Sequence, residues 1–498
     1  MGRTGFAAVV FLFGLPVAAL GASVPSYVSP TVLAAEQALV RLGYDIGTPD
    51  GKWDKKSNKA MNELRAANGL PSAANFTGSS LALIHRLSPG TDTLPSPGLF
   101  VTDVKVRRAE LATAPAIVTS QCKSIIGQGT MISFAKPIAT IDRFKLTNGV
   151  LRGDDDWFSA YWDTFLGAES DCLAGNDRTC KAIVDYTIKS ASTNAFAPVH
   201  NPPTGQANED EKWVANVLLR DLIVAYGIAR QFAPPSPVDD ATVLDWLKRR
   251  VDLYHNIVPG SYTIGDRNSA KHNNHGLAHV LSAFVFGVLV GDRAMMQPAL
   301  ETYREILEGI RVDGSIPTET RRGSAWFHYS NVQISQLLML AEMASAQGID
   351  ADNGLADPRF TIPHAVSFLL DGLHDFDIAR PYAKANEQPT FGPASEPPRI
   401  NGLQISWLPA YIARFGQDDN VERMRTMTVD PEVCSPASVN KDKLEASAIA
   451  ICGLKKDVPV TFSELFLMSD LRSIGHLGYA AGCMQATSDW RGLLSSSR

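Results

Sequence analysis

Gly276-Leu277-Ala278-His279-Val280-Leu281-Ser282-Ala283-Phe284-Val285-Phe286-Gly287-Val288-Leu289-Val290 is apolar almost all round, interrupted only by His279 and Ser282. After Gly291-Asp292 comes a second helical run, residues 293–310, with Arg293, Glu301, Arg304, Glu305 and Glu308 as its charged face. A helix apolar on every side is buried, and an amphipathic one covers it. The two runs therefore predict a helical hairpin with an inner and an outer member. Further helical patterns lie at residues 211–231, 239–254 and 329–347, and strand-like runs are few. Stacked hairpins of this kind predict an all-α fold, an incomplete α/α toroid, occupying residues 101–498.

Composition narrows the function. With 498 residues, 45% hydrophobic and 20% charged, the chain has room for one small and one large domain. A net charge of −6 supplies no global field for a polyanion, so an acidic ligand must be met by local cations. No basic stripe marks a nucleic-acid binder.

Arg3 followed by the apolar run 6–20 and small residues at Ala19-Leu20-Gly21 reads as a cleaved secretory signal over residues 1–22. No later run has the length and apolarity of a membrane span. The expected location is periplasmic or secreted, in a bacterium, with no membrane contact after cleavage. Six cysteines, Cys122, Cys172, Cys180, Cys434, Cys452 and Cys483, fit an oxidising compartment. None forms a CxxC pair, which argues against thiolate metal sites. We expect Cys122 to pair with Cys172 or Cys180, and Cys434 with Cys452.

Residues 33–87 read as a separate unit. An amphipathic helix ends at Gly43-Tyr44, a turn-dense loop carries Asp50-Gly51, a second helix spans 55–68, and a third short one lies near 80–87. The skeleton Leu42-Gly43-Tyr44, Asp50-Gly51 and Asn68-Gly69-Leu70-Pro71 resembles the peptidoglycan-binding-like three-helix module. That resemblance implies peptidoglycan as a partner. Glu63-Leu64 stands where the family usually has an aromatic-glutamine pair. Residues 88–100, rich in Ser, Pro, Gly and Thr, read as a linker.

Two helix mouths carry chemistry. In Lys271-His272-Asn273-Asn274-His275-Gly276, asparagine is a strong helix cap, and free amides at a helix start favour an anion. In Arg321-Arg322-Gly323-Ser324-Ala325-Trp326-Phe327-His328-Tyr329, two cations and three aromatic side chains gather ahead of a helix, behind the irregular loop that opens at Asp313-Gly314. Each has a plain structural reading taken alone. His272, His275 and His279 have helix-compatible spacing for a metal, but the turn at Asn274-Gly276 and the lack of a nearby carboxylate favour no metal and no cofactor.

Taken together, the segments resemble the alginate lyase family, which cleaves poly-β-D-mannuronate on an α/α toroid. That family has an Asn-His pair, a loop with Asp-Gly, Pro, Glu and Arg, and an Arg seven residues before a Tyr. Here Arg322 and Tyr329 are seven apart and His275 and Tyr329 are 54 apart. The likeness is clearest over residues 210–350. The resemblance implies that Asn274 and Arg322 neutralise a substrate carboxylate, that His275 assists, and that Tyr329 transfers protons. It also implies substrate contacts from Lys271, Arg321, Trp326, His328, Trp407 and Arg414. Phe327-His328-Tyr329-Ser330-Asn331 differs from the family's usual tyrosine segment. Residues 133–137 show no clear equivalent of its lid-loop tyrosine.

The implied activity is a secreted lyase that β-eliminates an acidic uronate polymer to leave 4,5-unsaturated ends. The alternatives are a lyase for another glucuronate-containing exopolysaccharide and a non-catalytic polysaccharide or cell-wall binding protein. A peptidoglycan hydrolase would need paired carboxylates, for which Asp313 and Glu319 are the nearest candidates.

Overall fold

The computed structural model describes residues 30–51, 54–68, 72, 80, 83–84, 87, 100–114, 119, 122, 130–133, 135–139, 146–147, 150–151, 156–197, 209–255, 272–352, 355, 357, 360–383, 406–415, 418–429, 460–461 and 481–485. The expected signal segment, Lys271 and the Cys434–Cys452 pair lie outside the described residues, as does the linker apart from Phe100.

Residues 30–87 have a core of their own. Helices α1 (Pro30–Arg41) and α2 (Lys55–Ala67) bury Ala35, Ala38, Leu39, Met61 and Leu64 against Leu83 and Ile84. Asp54 caps α2 by accepting from the backbone N–H groups of Lys56 and Ser57. Glu36 is buried yet satisfied: it accepts from the N–H groups of Asp50 and Gly51 at 3.0 and 2.9 Å and from Ser57 Oγ at 2.7 Å. One carboxylate thus ties the turn-dense loop to both helices.

The second core holds the α/α toroid. After α3 (Val104–Thr113) come α4 (Asp156–Leu173), α5 (Asp177–Ser192), α6 (Glu209–Ala229), α7 (Pro237–His255), α8 (Asn274–Val290) and α9 (Arg293–Gly309). A single turn, α10 (Pro317–Thr320), precedes α11 (Trp326–Ala346) and α12 (Ile362–His374), then α13 (Leu408–Phe415), α14 (Asp419–Thr426) and α15 (Ala481–Met484). The inner members α6, α8 and α11 are buried along nearly their whole described lengths. α8 packs on α6, α9 and α11, and α11 on α12. Among the described residues the only strands are two short antiparallel ladders, Leu146–Thr147 with Val150–Leu151 and Thr428–Val429 with Val460–Thr461.

The inner and outer roles of α8 and α9 follow their composition. α8 buries every residue from Gly276 to Leu289, whereas α9 buries Met296, Ala299, Leu300, Tyr303, Ile306 and Leu307 on one face. Two boundaries differ from the sequence reading. α8 begins at Asn274 because Asn273 is the cap, accepting from Gly276 N–H at 2.9 Å. α11 begins at Trp326, three residues before the expected start, because the buried Trp326 indole fixes that first turn.

The disulfides correct the expected pairing. Cys122 bonds Cys483, 361 residues away, and Cys172 bonds Cys180 across the turn between α4 and α5. Sequence proximity favoured a local partner for Cys122, but the fold brings the C-terminal segment back beside α3, where Arg107 Nε donates to the Cys483 carbonyl at 2.8 Å.

Candidate active site

Two loop-to-helix junctions meet at the mouth of the toroid. Asn274 opens α8 with its backbone N–H uncommitted to the helix, as the first residues of any helix are. That N–H donates to Glu319 Oε1 at 2.8 Å, and Asn274 Nδ2 donates to Glu319 Oε2 at 3.1 Å. The anion expected at this helix start is therefore a carboxylate of the chain itself. Glu319 is fully buried on α10. Burial pushes its carboxyl above the usual range, opposed by the charge of Arg322, the two Asn274 bonds and the charge of Arg321. A second rung joins the same loops: Thr318 Oγ1 donates to the His272 carbonyl at 3.1 Å. The His272 ring is itself held by Glu305 at 2.8 Å.

His275 follows Asn274 and stacks on Trp213 of α6, ring centres 5.4 Å apart and planes at 23°. Burial, then the charge of Arg322, then His279 lower its pKa from 6.5 to about 3, so the imidazole is neutral at ordinary pH. Arg322 thus acts on His275 and Glu319 at once. Its guanidinium carbon also lies 3.7 Å from the centre of the Tyr329 ring. His328, exposed, meets Tyr329 edge to face at 5.1 Å.

The structure brings Asn274, His275, Arg322 and Tyr329 together, with Arg321 and His328 at their border. It leaves three expected substrate contacts in the core. Trp326 is fully buried, donates Nε1–H to the Phe376 carbonyl at 3.2 Å and touches the rings of Phe327, Phe368 and Phe376. A Cβ at Gly372 would sit 2.2 Å from Trp326 Cη2, so no larger residue fits opposite it. Trp407 is fully buried and donates to Asn331 Oδ1 at 2.9 Å. Arg414 is buried among Glu342, Asp352 and Ser345 at 3.2, 2.9 and 2.9 Å. Each of the three is committed to partners within the core. The fold places these three in the core, as packing and as a charge hub.

Sequence reading missed Trp213, which no motif singled out, and the role of Glu319, weighed only as half of a hydrolytic pair. Its supposed partner Asp313 is instead a turn residue, accepting from Ser315 N–H at 2.9 Å and from Tyr382 Oη at 2.5 Å. The spacing of Glu319 three residues before Arg322 was the available signal. Among the described residues no three His, Cys, Asp or Glu side chains converge as metal ligands.

The arrangement offers an amide and a guanidinium for a carboxylate, a neutral imidazole, and a phenol for proton movement. Residues 197–377 match the family model described as alginate lyase. A protein of Stenotrophomonas maltophilia (strain K279a), described as a polysaccharide lyase, is 24% identical over 145 residues, 29% of this chain. The match spans 41% of that relative's length. The crystal structure of alginate lyase A1-III from Sphingomonas species A1 superimposes with a TM-score of 0.51 at 20% identity, covering 64% of this chain and 89% of that one. A Tyr-to-Phe variant of alginate lyase A1-III complexed with tetrasaccharide gives 0.51 at 19% identity, covering 67% and 92%. These likenesses, none above 24% identical, show the shared α/α toroid, and residues 197–377 are similar to the alginate lyase family model.

Proposed function

We propose that the chain is a polysaccharide lyase that β-eliminates an acidic uronate polymer of the alginate type. The observation that carries this reading is the position of Arg322, over the Tyr329 ring and close enough to His275 and Glu319 to bear on the ionisation of both. Asn274 is fixed by Glu319 through one Nδ2–H, and we assign the other to the substrate carboxylate. With Arg322 it stabilises the carboxylate as it becomes an enediolate, which lowers the barrier to removing the neighbouring C5 proton. Tyr329 takes that proton, the electron pair forms the C4–C5 double bond, and the C4–oxygen bond breaks. The departing glycosidic oxygen takes a proton back from Tyr329. His275, neutral, assists as a hydrogen-bonding group or as a base for the other C5 epimer.

The tetrasaccharide complexes of alginate lyase A1-III support this reading. The histidine and the tyrosine replaced in them stand 54 positions apart, as His275 and Tyr329 do. The residues flanking Tyr329 depart from the family's usual segment, which favours testing glucuronate-rich polymers beside polymannuronate and polyguluronate. The export signal expected in residues 1–22 suits an enzyme meeting its polymer outside the cytoplasm, and the two disulfides are compatible with that.

The deciding experiment follows ultraviolet absorbance of the new double bond on each polymer. A rise on at least one uronate polymer is expected. A folded sample silent on all of them would overturn the proposal.

A further inference from the structure

A cation of the N-terminal unit is buried against the toroid. Arg65 lies on α2, where a helix arginine is normally solvated. Yet its side chain is only 2% exposed and its Nη2 donates to Asp350 Oδ2 at 3.1 Å, a pairing across 285 residues of sequence. Arg65 Nη1 also donates to Ser80 Oγ within its own unit at 3.3 Å. Asp350 in turn belongs to a larger assembly. Its Oδ1 accepts from Asp352 N–H at 3.1 Å, and Asp352 accepts from Tyr303 Oη at 2.5 Å and Arg414 Nη2 at 2.9 Å. Arg414 continues to Glu342, which accepts from Gln485 Nε2 at 2.6 Å, two residues beyond the disulfide-bonded Cys483. The charge hub therefore gathers the N-terminal unit, the end of α11 and the C-terminal segment.

We infer that residues 30–87 are seated on the toroid through a buried Arg65–Asp350 latch, so that the two units act as one body. The seat lies beyond the C-terminal end of α11, while Tyr329 lies in its first turn. With 21 residues in α11 the two ends are about 30 Å apart at ~1.5 Å per residue. The unit thus rides at the end remote from the site and does not cover it. Breaking a buried ion pair by removing one partner is costly because the other charge is left desolvated. The connection is short as well. Leu87 packs on the N-terminal core and Phe100 is fully buried in the toroid core, so the intervening stretch keeps the effective concentration of the seat high. Arg65 is spent in this seat, and any cell-wall ligand of the unit must use its other faces.

The inference does not depend on the lyase proposal, and its test needs no substrate. Full-length mature protein, Arg65→Leu and Asp350→Asn are compared by limited proteolysis in residues 88–99 and by small-angle scattering. Asp350→Asn keeps an Oδ1 acceptor for Asp352, so the hub below it survives. The wild type should resist cleavage with a compact radius of gyration. Both variants should be cut on the order of a hundredfold faster and become more extended. Equal cleavage rates and equal radii in all three proteins would overturn the latch. If Arg65→Leu unfolds its own unit, Asp350→Asn, which lies outside that unit, decides alone.

Discussion

The guanidinium of Arg322 faces the ring of Tyr329, its central carbon 3.7 Å from the ring centre. Across the seven-residue spacing the contact is a cation over an aromatic face, worth about 0.5–2 kcal/mol. Tyr329→Phe keeps that contact and removes only the hydroxyl. Turnover should disappear while oligosaccharide binding by calorimetry stays within about threefold, since the lost group acts on protons rather than on affinity. An active Tyr329→Phe protein would remove Tyr329 from the mechanism.

Glu319 earns its own prediction through its two bonds to Asn274. Glu319→Ala leaves a buried N–H and amide without acceptors, at a cost of about 1–3 kcal/mol. It also frees Asn274 to rotate, so kcat should approach the loss for Asn274→Ala, on the order of 10²–10³. Glu319→Gln restores one acceptor and should retain more activity than Glu319→Ala. Wild-type kcat/KM in Glu319→Ala would show that the clamp is irrelevant to catalysis.

His275 should show no titration near its ordinary range. With a folded pKa of about 3 against a usual 6.5, its proton NMR signals should stay at their neutral positions from about pH 8 to about pH 5. As pH falls from 6.5 toward about 3 the unfolded chain takes up a proton that the folded imidazole refuses, so this group lowers stability progressively over that window and not above it. A midpoint near 6.5 in the folded protein would contradict the burial beside Arg322.

Gly372→Ala tests the packing at Trp326. The added methyl would lie 2.2 Å from the indole, so α12 or the first turn of α11 must shift. A loss of about 1–3 kcal/mol is expected in chemical denaturation. Because Tyr329 sits on that same turn, kcat should fall more than KM rises. A protein of unchanged stability and kinetics would place Trp326 elsewhere.

The two disulfides should differ in weight. Cys122–Cys483 closes a far longer loop than Cys172–Cys180, and chain-entropy arguments assign more stabilisation to the longer. Cys122→Ser with Cys483→Ser should lower the melting temperature more than the matching pair at Cys172 and Cys180. The reverse order would show that the C-terminal segment adds little to the toroid.

The inner and outer helices were legible because burial writes itself into composition: α8 lacks a polar face and α9 has one. The helix mouths were legible through capping asparagines and loop residues. The core positions of Trp326, Trp407 and Arg414 were not legible, because aromatic and cationic side chains serve packing and recognition equally well. Trp213 and the seat of Arg65 depend on contacts between distant segments, and no local pattern encodes them. The partner of Cys122 belongs to the same class.

The Glu319 carboxylate at the start of α8 sets the charge count of the cleft. An empty helix end would attract phosphate, sulfate or any passing anion. Here that end is already occupied by a side chain of the protein itself. The charges of Arg321 and Arg322 oppose the burial that raises the Glu319 carboxyl, so both arginines answer a group of the protein itself before any ligand arrives.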